Sequence, residues 1–308
     1  MAIDPMASCP SAKESEAWML GHFLNHLFNG VVLGLLLTVI ALGFSLVLGV
    51  MEVVNFAHGV LFAIGAYFAF ALVKLVGFWW ALLISPILVA ILGMILESGL
   101  IKRIYSLNPL YGLLLTFSIA MGLEGLIKLI WGPMGYSIPA PPFAAGFIDL
   151  GFVVYSKYRF IQGVLALFLI LALWLFLEKT TYGAVIKAGT ISTEMVMALG
   201  KNLPRLRTLV FGMGSFLAGI AGVLTAPMWG IRPGIGTEAM MPALVVVVVG
   251  GMGSLYGSII AGQLVGIVTG LTVMFYPRLS DLMMYLLMLV VFLARPRGLM
   301  GTKSILEE

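Results

Sequence analysis

Few side chains in this sequence could do chemistry, and most stand inside or at the ends of long apolar runs. The densest polar group is Glu52, Asn55 and His58, followed by Gly59, in the stretch from Gly43 to Tyr67. It joins two apolar runs with hardly any polar spacer, and polar groups facing lipid are costly. Two readings fit these residues: a short turn whose Asn and His cap helix ends, or a pathway or gate element where a helix breaks at membrane depth. A second group is Gly250, Gly251, Gly253 and Ser254. A phosphate-binding loop would need Lys and then Ser or Thr after its last glycine. No Lys occurs between Gly250 and Ser258, and no other stretch fits, so ATP hydrolysis by that chemistry is excluded. The glycines then mark a tight helix break, its N–H groups facing a solute or a neighbouring helix.

The remaining candidates are structural. Glu124 and Lys128 stand four apart, the spacing of an ion pair on one helix face. Glu97 lies near Lys102 at the end of an apolar run and reads as interfacial, while His22 and His26 precede the first span and read as surface residues. No His/Cys/Asp/Glu cluster has metal-ligand spacing and no nucleophile–base arrangement is evident, so no metal, cofactor or catalytic residue is expected in this chain. The single cysteine, Cys9, excludes an internal disulfide framework.

The elements that carry these residues follow from composition. Apolar residues make up 61% of the 308 and charged residues 10%, too few charges to cover a water-exposed surface. The apolar runs fall at 29–50, 56–77, 79–99, 110–131, 160–178, 208–229, 240–275 and 282–294, mostly near the roughly 20 residues that cross a bilayer as a helix. They are continuous, without the alternation of a membrane barrel. The fold class is therefore all-α: a polytopic membrane helical bundle of about eight to ten spans with broken or re-entrant elements. The run 240–275 is too long for one span and reads as a short element followed by a full helix. Ser215, Ala218, Gly219 and Gly222 have the small-residue spacing of close helix packing.

Residues 1–28 read as a tail in which Met6 is as good a start as Met1, leaving Met1 to Pro5 open. Residues 29–301 form one transmembrane domain, with an ordered external loop at 132–159 and a cytoplasmic loop at 179–207; residues 302–308 are a cytoplasmic tail. The orientation comes from the basic clusters Lys102/Arg103, Lys179 to Arg207, and Arg295 to Lys303, which belong on the cytoplasmic side. Lys157 and Arg159 fall outside in this scheme. The net charge of +4 is explained by these clusters and does not point to nucleic acid. Within 183–202, Val185, Ile186, Met195, Val196 and Leu199 interleave with Lys187, Glu194 and Lys201. Such a segment needs a covering surface, either a partner or this protein's own helices and the lipid interface.

Five motifs in order carry a family resemblance. VVNFAHG with GAY (53–59, 65–67) resembles the signature of permeases from branched-chain amino-acid ABC importers, the high-affinity leucine/isoleucine/valine type. The loop from Tyr182-Gly183 to Gly200 and Asn202 is similar to that family's coupling segment, FLAGIAGVL (216–224) to its glycine-rich helix, VVVVVGGMGSLYGSIIAG (245–262) to its VVVGG region, and RPRGLMG (295–301) to its C-terminal ending. The chain departs from the family at Ala184 and Ser192, where an arginine and an aspartate are usual; Lys187 and Glu194 keep charge nearby.

The resemblance implies an ABC importer permease in a bacterial cytoplasmic (inner) membrane, moving branched-chain or other hydrophobic amino acids, or a related small polar solute, inward by alternating access. It implies two cytoplasmic ATPase subunits that use ATP and Mg, a second related permease and an extracytoplasmic solute-binding protein. Tyr182, Gly183, Lys187, Ala188, Glu194, Gly200 and Asn202 would then couple to the ATPases. Glu52, Asn55, His58, Gly59 and 250–254 would line the path. An ion-coupled secondary transporter or channel-like protein working alone is the competing class, and need for a separate ATPase separates the two.

Overall fold

Backbone polar groups find no water in hydrocarbon, so each apolar run must close its hydrogen bonds within itself, as a helix does. The structure, a computed structural model, describes residues 12–51, 53–105, 107–149, 154–198 and 200–301. Its helices are α1 (Ala12–Met51), α2 (Ala57–Val76), α3 (Phe78–Gly99), α4 (Pro109–Trp131), α5 (Lys157–Lys179), α6 (Thr181–Ile191), α7 (Thr193–Ala198), α8 (Leu203–Trp229), α9 (Ile235–Gly250), α10 (Leu255–Phe275) and α11 (Ser280–Ala294). Among the described residues, eight helical segments are long and apolar enough to span a membrane, and α9 is a shorter apolar helix. The chain is a polytopic helical bundle.

Two boundaries differ from expectation. α1 runs back to Ala12, through residues read as tail: hydropathy marks where lipid begins, whereas Ala, Lys and Glu continue a helix into water at little cost. The long run at 240–275 divides into α9 and α10 around 251–254, with α9 starting earlier, at Ile235. Asn108 and Asn202 start α4 and α8, each side chain accepting an N–H of the first turn, with proline following closely.

α1 and α8 are the most buried of the spans, and α4 and α11 the least. Small residues let the inner helices touch backbone to backbone, as needed where hydrophobicity gives no drive between them. A Cβ on Gly34 of α1 would stand 2.8 Å from the Gly262 carbonyl oxygen of α10, and Gly30 meets Gly266 in the same way. On α8, Ser215 packs on Gly93 of α3, and Gly219 on Gly65 of α2.

The bundle has two ends. At one, Gly49 of α1 meets Thr190 of α6 and Gly253, Val53 meets Gly112, and the Arg207 guanidinium lies 4.4 Å from the Tyr105 ring centre. Among the described residues, the three basic clusters named above gather there: Tyr105, next to Lys102 and Arg103, meets Arg207, and the turn after Arg295 packs on Gly251. At the other end, Tyr136 and Ile231 exchange backbone hydrogen bonds of 2.7 and 2.8 Å. There Trp79 stacks on Phe143 at 5.1 Å, and β1 (Phe147–Asp149) pairs with β2 (Val154–Ser156). These contacts order the 132–159 loop. Lys157 and Arg159 begin α5 at this end.

Candidate functional site: a re-entrant break and the segments gathered below it

Between α1 and α2 the chain does not turn at the bundle end. Val53 packs on Gly112 of α4, and Phe56 meets Phe117 edge-on at 6.1 Å, so the non-helical segment from Val53 to the turn at Phe56 runs alongside α4 into the bundle before α2 begins. Its backbone groups are met by one side chain. Thr116 Oγ1 accepts from the Phe56 N–H at 3.3 Å and donates toward the Val54 and Leu113 carbonyls at 3.2 and 3.1 Å. Nothing in the sequence marked Thr116 above the other hydroxyls of its apolar run, such as Ser118.

Asn55 and His58, singled out from sequence, are both buried. Asn55 Oδ1 accepts from the Ala57 N–H at 3.0 Å and so caps α2. His58 Nε2 lies 3.1 Å from the Ile40 carbonyl, which can only accept, so Nε2 carries the proton. Ile40 is three turns short of the end of α1, about 16 Å at 1.5 Å per residue. Asn55 Nδ2 and His58 Nδ1 have no partner among the described residues. Asn55 thus acts as a cap, whereas His58, expected to cap as well, lies within α2 and reaches α1 instead. Gly59 sits against Gly236 and Met240 at the start of α9. Glu52 lies outside the described residues.

Above the break, Phe56, Gly59, Tyr67, Glu124, Gly236 and Met240 border a cavity of about 90 Å³. That holds roughly three waters at about 30 Å³ each and is smaller than the ~300 Å³ of a ligand pocket. From the edge of this cavity Glu124 pairs with Lys128 at 3.0 Å, and the Lys128 side chain is 52% exposed.

The 250–254 glycines were expected to line a path. At Gly250 and Gly251 the backbone is covered by the chain's own C-terminal turn, whereas Gly253 lies against Gly49 of α1. Leu299 and Met300 N–H groups donate to the Val249 and Gly250 carbonyls at 2.8 and 3.0 Å, and a Cβ on Gly298 would stand 2.7 Å from the Gly251 nitrogen. The break between α9 and α10 therefore needs glycine for close backbone contact, and Ser254 caps α10 by accepting the Gly257 N–H at 3.1 Å. The sequence could not show that RPRGLMG and GGMGS, far apart in the chain, are one contact.

The 179–207 loop folds as α6 and α7. Thr180 Oγ1 caps α6 through the Gly183 N–H at 3.0 Å, and Gly183 packs against the end of α5, a Cβ there falling 2.5 Å from the Leu177 carbonyl oxygen. Ile186 and Val196 are buried by this protein's own helices, whereas Tyr182 and Met197 are exposed. The own-helix covering accounts for one face and leaves the other free. Lys187 pairs with Glu178 at 2.8 Å, and Tyr256 of α10 donates to the same carboxylate at 2.7 Å, tying α6 to α5 and α10. Ala188 is half-buried, and Gly200 and Asn202 serve as the turn (φ 74°) and cap that start α8. Glu194 lies on the α7 backbone, its side chain outside the described residues.

Glu97, expected at the interface, is fully buried. Tyr105 donates to it at 2.7 Å and Thr208 of α8 at 2.5 Å. Burial, reinforced by that carboxylate, pushes the Tyr105 phenol well above its ordinary range. His22 is exposed, but His26 is half-buried and lines a cleft at the opposite end.

A profile of the family described as "Branched-chain amino acid transport system / permease component" matches residues 26–292. The high-affinity branched-chain amino acid transport system permease protein LivH of Escherichia coli (strain K12) is 27% identical over 299 residues, covering 92% of this chain and 97% of the relative. The corresponding protein BraD of Pseudomonas aeruginosa is 28% identical over the same shares. The permease protein LivM of the same E. coli system is 27% identical, over 85% of this chain and 67% of LivM.

Proposed function

The chain belongs to the family of branched-chain amino acid transport system permease components, and from that premise we propose that it carries branched-chain or similar hydrophobic amino acids inward as one permease subunit of an ATP-binding-cassette importer. It works by alternating access, and separate ATPase subunits supply the energy. The observation that carries this reading is the cluster at the basic end. There α6, which exposes Tyr182 on its free side, packs through Thr190 on Gly49 at the end of α1, and Gly49 in turn lies against Gly253 of the 251–254 break. A push on α6 would reach both broken elements without passing through a flexible linker. The basic residues gathered there support a cytoplasmic assignment for that end and for the C-terminus.

A second permease subunit is part of the proposal. LivH and LivM are both named as permease proteins of one system, and this chain resembles each. Glu124 and Lys128 support the pairing, since a charged pair partly exposed on α4 is better placed against protein than against lipid. ATP and Mg would act on the partner ATPases, with an extracytoplasmic binding protein delivering solute to the end bearing the 132–159 loop.

Reconstitution of this chain with its second permease and two ATPases tests the reading. Leucine uptake into vesicles should require ATP, both ATPases and the binding protein. Accumulation of leucine against its gradient by this chain alone would overturn it.

A further inference from the structure

At the end opposite the break, α1, α5, α8 and α10 enclose a cleft of about 370 Å³, within the roughly 300–1,000 Å³ of small-molecule sites. Its polar lining is His26, Asn29, Arg159, Gln162 and Thr269. Arg159 stands near the start of α5, where an arginine merely seeking the interface would extend outward. It is half-buried and turned inward, donating to Asn29 Oδ1 of α1. Asn29 is held in turn by its own donation to Asn25 at 2.9 Å, and buried Gln162 is fixed by donation to the Leu224 carbonyl at 2.8 Å.

The charge balance of this cleft is one-sided. None of its lining residues is an acid, and no ion pair among the described residues includes Arg159. The acids Glu238 and Asp281 line a neighbouring recess that shares Trp229 and Thr269 with it. Thr269 Oγ1 is buried without a partner among the described residues. A guanidinium offers five N–H donors in a fork suited to carboxylate or phosphate. Val32, Leu36, Trp229 and Val273 supply an apolar wall beside it.

We propose that this cleft is an anion-recognition site for a small amphiphile. Arg159, with His26 and Asn29 beside it, receives one carboxylate or phosphate, and the apolar part of the molecule lies against Val32, Leu36 and Val273. Two sources share this chemistry: the carboxylate of a hydrophobic amino acid and the headgroup of an anionic lipid. The site stands on the cleft's geometry and does not depend on the ATP-driven reading.

The full chain, purified in a neutral maltoside detergent, tests it in two arms. Native mass spectrometry compares retention of phosphatidylglycerol with that of phosphatidylcholine, and calorimetry measures leucine binding. Preferential phosphatidylglycerol retention assigns the lipid source, and leucine binding the solute source. In either case Arg159→Gln should weaken binding roughly tenfold to a hundredfold, the worth of one charged hydrogen bond. Arg159→Lys should keep part of it. Val273→Trp, which fills the apolar side and leaves every charge in place, should also weaken it. If Arg159→Gln does not fold, as judged by its thermal melt, Arg159→Lys and Val273→Trp decide. Equal retention of the two lipids with no leucine binding, or binding unchanged in the folded variants, overturns the proposal.

Discussion

Thr116→Val tests whether the segment before α2 is a built re-entrant break. Valine keeps the shape of threonine and removes only the hydroxyl, which is nearly fully buried and serves both the Phe56 N–H and the Val54 carbonyl. An unsatisfied buried backbone group costs about 1–3 kcal/mol. The 53–56 segment is partly buried, and the hydroxyl shares its one proton between Val54 and Leu113, so the two losses do not add in full. The expected cost is about 1.5–3 kcal/mol, a fall in Tm of roughly 2–5 °C for a chain of this size. Thr116→Ser, which keeps the hydroxyl, should lose far less. Thermal unfolding in detergent gives the first reading, and amide exchange gives the second, through faster exchange at Phe56 and Ala57. An unchanged Tm together with unchanged exchange at 53–57 would refute the reasoning, because the break would then be held by something other than this side chain.

Tyr182→Ala should leave the melting of this chain within about 0.5 kcal/mol of wild type, since the ring is 64% exposed, and should lower ATP-driven uptake; full uptake would deny the free face of α6 a partner. Substitution of Gly183 cannot report on docking, because any Cβ there meets the α5 backbone and folding should fail first. Gly298→Val, at φ 79° and against the Gly251 backbone, should detach the C-terminal turn, seen as faster tryptic cleavage after Arg297, the bond after Arg295 being closed to trypsin by Pro296. Glu97→Leu should cost about 1–3 kcal/mol by stranding the Tyr105 hydroxyl, Thr208 retaining the Pro204 carbonyl, while Glu97→Gln keeps an acceptor and costs less; equal melts for the two would remove the buried network from the account.

Asn55, His58, the 250–254 break and the 183–202 segment were visible in the sequence because polar or glycine-rich stretches stand out against apolar runs. Their partners were not. Glu97 looked interfacial because its nearest charge along the chain is Lys102, whereas its actual donor on α8, Thr208, is 111 residues away. Gly250 and Gly251 looked like part of a solute-facing turn because the residues that cover them come at the end of the chain. His26 was read as surface for want of a sequence neighbour, although α5 and α10 build a cleft around it.

Hydropathy and charge, read along the chain, settle that this is a membrane bundle, roughly where each helix lies and which loops share an end. Those properties depend on what each short stretch meets, lipid or water, and so are local. Whether the polar segment after α1 is a surface turn or climbs into the bundle depends on Ile40, Gly112 and Thr116 arriving beside it from other helices. The same holds for the glycine break, the free face of α6 and the inward turn of Arg159. Each is decided by close contact between residues distant in the chain, for which no local signal exists.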